Sequence, residues 1–128
     1  MDAYRKLARA NPQTYQPDVA MTLNNLGVLH KDTSEFVKAE TELGEAVEVF
    51  RKLAKANLQA YQPHVAMTLE NLGLLYTDKK DYPKAEVFYK ETIQILQPFA
   101  KAVPAAFAPR LRKVERNYSA MQNTRDNS

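Results

Sequence analysis

The stretch YQPDVAMTLNNLGVL at Tyr15–Leu29 returns as YQPHVAMTLENLGLL at Tyr61–Leu75. Working outward from it, a shift of 46 residues lays Arg5–Phe50 over Arg51–Leu96 without a gap, with 24 of the 46 positions identical. A fainter third copy follows, in which Phe107 stands in register with Tyr15 and Tyr61, and Pro109 with Pro17 and Pro63. A fixed period of this length marks a stack of helical units, each unable to bury its apolar side alone. Most of the strong sequence signal therefore describes architecture, and function falls to the surface that the stack presents.

The apolar spacing inside each copy is helical. Val19, Leu23, Leu26 and His30 fall at i, i+4, i+7 and i+11, with Ala20 and Gly27 beside them. Phe36, Ala39, Leu43, Ala46, Phe50 and Leu53 alternate steps of three and four, and Tyr82, Ala85, Tyr89, Thr92, Leu96 and Phe99 repeat that rhythm. No segment alternates apolar and polar residues for long, so no strand is expected. Asp32-Thr33-Ser34 and Asp78-Lys79-Lys80-Asp81 are predicted as short turns between antiparallel helices, with Ser34 capping the helix after it. Longer connectors are predicted from Asn11-Pro12, Asn57-Leu58 and Val103-Pro104 to Pro17, Pro63 and Pro109, each proline opening a helix. The expected helices are 17–31, 35–56, 63–78, 82–102 and 109–122, after a partial one at Asp2–Ala10. The units are a partial repeat 1–11, repeats 12–57 and 58–103, a capping helix 104–122 and a flexible tail 123–128. In this register the chain starts inside a repeat.

These residues resemble the tetratricopeptide repeat. The matching positions are Leu69, Leu72-Gly73, Tyr76, Ala85 and Tyr89 in the second copy. In the first they are Leu23, Leu26-Gly27, His30, Ala39, Leu43 and Ala46. The departures are Leu for the usual tryptophan, His30 for tyrosine, and Thr92 where Ala46 sets the expectation. Gly27 to Ala39 and Gly73 to Ala85 keep the family's spacing, so the extra length lies beyond the alanine. This long form is similar to the repeats of kinesin light chains. The resemblance implies an all-α, right-handed superhelical solenoid of antiparallel helix hairpins. Glycine and alanine at these places remove bulk where two helices approach closely. In the third copy Glu115 stands for Leu23/Leu69 and Ser119 for Gly27/Gly73, as suits a polar cap that ends a stack.

Composition bounds the chemistry. The 128 residues are 45% hydrophobic and 26% charged, enough for a core in an ordinary soluble chain. Without cysteine, disulfides and thiol chemistry are excluded. No apolar run approaches the ~20 residues of a membrane span, and Met1–Lys6 does not begin a secretory signal, which makes a cytoplasmic location the default. Residues 1–100 carry 12 basic and 13 acidic side chains, whereas residues 101–128 carry six basic against two acidic. The excess positive charge thus belongs to the C-terminal segment.

Little points to catalysis. His30 takes a packing position and His64 stands at a predicted helix start, exposed; neither has a partner at metal or triad spacing. Glu40, Glu42, Glu45 and Glu48 read as a solvated helix face, and no phosphate loop or hydrolase motif is present. No cofactor is expected. The chain reads as a non-enzymatic scaffold for a protein or peptide ligand.

By the resemblance, the ligand-contacting positions are Met21, Asn24, Asn25, Val28 and Lys31, then Met67, Glu70, Asn71, Leu74 and Thr77, lining a concave groove. Asn25 and Asn71 each offer a donor and an acceptor, which suits holding an extended backbone without reading its side chains. The competing reading is that these asparagines bond between helices and fix the repeat geometry. The lysine clamp for carboxyl termini is not evident, and Glu70 argues against an acidic tail. Arg110, Arg112, Lys113 and Arg116 form a basic surface for phosphates or an acidic partner, although no nucleic-acid motif supports the former. Tyr4, Leu7 and Ala8 offer an apolar edge for self-association, and assembly within a larger protein is the main rival function.

Overall fold

A computed structural model of the chain describes residues 12–127. Five helices follow one another: α1 Pro12–Asp32, α2 Phe36–Ala56, α3 Leu58–Asp78, α4 Tyr82–Ala102 and α5 Pro104–Asp126. The first four have 21 residues each and the last 23. The partial helix expected at Asp2–Ala10, with Tyr4, Leu7 and Ala8, lies outside the described residues.

The long connectors are not loops. Residues 58–62 and 104–108 are helical, so Pro63 and Pro109 lie inside their helices, as Pro17 does in α1. Only Asn57 separates α2 from α3, and only Val103 separates α4 from α5. Asn57 ends one helix by donating its N–H to the Leu53 carbonyl at 2.9 Å, and its side chain caps the next by accepting from Ala60 N at 3.2 Å. Each of these three prolines forfeits one backbone bond near its helix start, a loss that the burial of Pro63 helps to offset. The tail expected after residue 122 continues α5 as far as Asp126, where Arg125 donates to Glu86 at 3.1 Å.

The short turns are helix stops of a defined kind. Ser34 and Lys80, 46 residues apart, both take a left-handed φ of 63°. Glu35 N–H donates to His30 O at 2.7 Å and Ser34 N–H to Lys31 O at 3.0 Å. Asp81 N–H donates to Tyr76 O at 2.8 Å and Lys80 N–H to Thr77 O at 3.0 Å in the same way. This is the Schellman arrangement, which satisfies the last carbonyls of a helix. Ser34 is therefore not the predicted cap of α2. Glu35 occupies that place without a capping side-chain bond, whereas its counterpart Asp81 accepts from Lys84 N at 3.4 Å.

Two compact units divide the chain, the first ending at Thr68 and the second starting at Leu69. The N-terminal unit pairs α1 with α2. Val19, Leu23 and Ala46 cluster there, and Ala39, Leu43 and Phe50 are fully buried. A Cβ on Gly27 would lie 2.5 Å from Cγ of Leu43, so the glycine is what lets α2 approach. The C-terminal unit pairs α4 with α5. Ala85, Tyr89, Thr92 and Leu96 are buried along α4, and Val114 and Met121 along α5. Here a Cβ on Gly73 would come 3.0 Å from the Tyr89 ring. Tyr118 stacks on Tyr89 at 5.7 Å, and Phe107 packs on Phe99 at 5.1 Å.

Candidate peptide-binding surface

In the N-terminal unit, the expected contact residues of α1 divide by burial. Asn25 is exposed, and Met21, Val28 and Lys31 are half-buried, as is Met67 on α3. Asn24 departs from the expectation: it is only 3% exposed. Its Oδ1 accepts from Thr68 Oγ1 at 3.1 Å, and its amide donates to Asn25 Oδ1 at 3.4 Å. Burial obliges an amide to find such partners, so Asn24 ties α1 to the N-terminal part of α3 and does not face a ligand. Lys31 is held beside Asp32 at 2.7 Å.

In the C-terminal unit, Glu70, Asn71, Leu74 and Thr77 are all half-buried on α3. Thr77 Oγ1 donates to Gly73 O at 2.8 Å. Glu70 accepts from Asn117 Nδ2 of α5 at 3.0 Å. Asn117 was missed among the sequence candidates, yet Asn25, Asn71 and Asn117 recur at the 46-residue period. Carrying the shift once more into the weak third copy was enough to find it.

The two histidines are both engaged. His30 Nδ1 lies 2.5 Å from Glu42 Oε1, and its Nε2 lies 4.0 Å from Glu35. Glu42 therefore leaves the solvated face expected of it. In the second copy these positions are Tyr76 and Phe88, whose rings stack at 5.4 Å, with Lys79 and Lys84 over Tyr76. Burial pushes the Tyr76 phenol above its ordinary range. His64 is half-buried, 5.1 Å from the Phe50 ring, because the helix starts at Leu58 and not at the proline before it. Among the described residues, no three His, Asp or Glu side chains converge as metal ligands, and no helix is long and apolar enough to cross a membrane.

Glycines under large side chains, buried alanines opposite them and hairpins at a constant period are what a family-wide comparison then bears on. The model of the tetratricopeptide repeat family matches residues 18–97. The chain belongs to the tetratricopeptide repeat family. Searches among curated proteins and among solved structures found no match. Tetratricopeptide repeats generally mediate protein–protein interaction, and the family is typically a non-enzymatic scaffold.

Proposed function

We propose that this tetratricopeptide repeat protein binds extended peptide segments of a partner protein on its first-type helices, with α1 serving the N-terminal unit and the later part of α3 the C-terminal unit. The observation that carries the reading is the exposed Asn25, whose counterpart Asn71 is half-buried at the same register. Each amide supplies both a donor and an acceptor to a peptide backbone. Met21, Val28, Lys31 and Met67 in the N-terminal unit, and Leu74 and Thr77 in the C-terminal unit, supply partly exposed contacts of mixed character. Asn24 is left out of this set because of its burial, and Glu70 takes part together with Asn117.

A screen of extended peptides against the parent chain and an Asn25→Ala/Asn71→Ala variant tests the reading. Loss of binding at unchanged helicity supports it. Unchanged binding to the variant removes it.

Self-association is favoured by one further observation. Leu29 is 55% exposed, whereas its counterpart Leu75 is fully buried. Light scattering across a concentration series decides this second reading, and a strict monomer ends it.

A further inference from the structure

The outer side of α5 does something its counterparts do not. Arg112, Glu115 and Ser119 correspond to Ala20, Leu23 and Gly27, and to Ala66, Leu69 and Gly73. All six of those counterparts are buried, and Gly27 and Gly73 lie under Leu43 and Tyr89 of the helix that follows. On α5 the three residues are exposed. With Arg116, Ala120 and Asn123 they line an open depression of about 560 Å³.

This face is held from behind by its own unit. Val114 and Met121 are each 1% exposed, Tyr118 stacks on Tyr89, and Arg125 reaches Glu86 on α4. Arg112 and Arg116 stand one helical turn apart. Neither they nor Lys113 has an ion-pair or hydrogen-bond partner among the described residues.

We propose that this face of α5 docks an acidic amphipathic helix of a partner protein, seated where a second-type helix packs in the earlier copies. Carboxylates one turn apart on the incoming helix meet Arg112 and Arg116. Ser119 and Ala120 are small enough to let its backbone approach. Glu115 sits within the cationic stripe, so a polyphosphate would meet a carboxylate at the centre of its footprint, whereas a helix can place a lysine or an amide there. The two arginines steer the encounter and set the orientation of the partner more than they set the affinity.

The probe is a synthetic helix of about 20 residues, long enough to span α5, with Glu pairs at i and i+4 along one stripe and Ala and Leu beside it. Its control has the same composition with the carboxylates scattered around the helix. The striped peptide is expected to bind the full chain saturably and to weaken with added salt. Arg112→Glu/Arg116→Glu is expected to cost about tenfold or more in Kd, the scale of two surface ion pairs. Circular dichroism is expected to show that this variant keeps its helicity, and the milder R112Q/R116Q is expected to fall between it and the parent. Asn25→Ala/Asn71→Ala is expected to leave this binding unchanged, which separates it from the peptide surface on α1 and α3. Absence of saturable binding, equal binding of the scattered control, or indifference to charge reversal overturns the proposal. So does duplex RNA that displaces the peptide through the same two arginines.

Discussion

At Gly27 a methyl group would sit 2.5 Å from Cγ of Leu43, whereas at Gly44 it would meet nothing within 4 Å. Both glycines lie inside helices, where alanine is favoured by about 1 kcal/mol. Gly44→Ala is therefore expected to stabilise the protein by about that amount. Gly27→Ala is expected to destabilise it by about 1–3 kcal/mol despite the same propensity gain, because Leu43 branches at the point of contact. Urea midpoints of the two variants check both signs. The contrast was half legible in the sequence: Gly27 has a partner at Gly73, and Gly44 is replaced by Lys90 one period on. What the period does not reveal is direction around the helix for its variable positions. Asn24 and Glu70 share a register position, yet one is buried and the other half-exposed. A polar side chain with a partner 44 residues away in Thr68 looks, in the sequence, like one that faces water.

Helix existence and pairing were legible, and helix beginnings were not. Pro17, Pro63 and Pro109 look like first-turn residues because proline is well tolerated there. In the structure that place belongs to Pro12, Leu58 and Pro104, and two of these three are also proline. The capping asparagine at residue 57, whose side chain accepts from the amide three residues on, was the signal that distinguished the two sites. Ends are subtler still, since Ser34 and Lys80 hold a left-handed conformation that neither residue type advertises. A side chain with a Cβ pays roughly 1 kcal/mol or more to sit there, and glycine does not. Ser34→Gly and Lys80→Gly are each expected to raise stability by up to about 1 kcal/mol, measured as a shift in the denaturation midpoint. A loss at either site would show that the turn is not held as described.

At the scale of the whole molecule, the repeats are nearly neutral and the positive excess gathers at the C-terminal helix. One carboxylate links that helix to the one before it. Glu86 is held below its ordinary value of 4.5, first by its hydrogen bond with Lys90 and then by Arg125 of α5. A carboxyl group with a lowered folded-state pKa contributes stability above its unfolded value and loses it as the pH falls through the folded one. Protection factors of the α5 amides, taken relative to the intrinsic exchange rate at each pH, are thus expected to fall as the pH drops below about 4.5, with Glu86→Gln removing that part of the acid response. Equal acid sensitivity in the variant would show that this link does not hold α5 in place.

The single residues that join α2 to α3 and α4 to α5 have a consequence for how such a chain can change length. Two 21-residue helices, a three-residue turn and one joint residue fill the 46-residue period with nothing to spare. Asn57 closes one helix and opens the next, so an extra residue beside it has no slack segment to enter. Forced into a helix, it would rotate everything beyond by about 100° and swing Thr68 away from Asn24. Small insertions and deletions are thereby steered to the tips at 33–35 and 79–81. Larger gains or losses are heritable only as whole units, so a lineage of such chains would grow by duplication and not by increments.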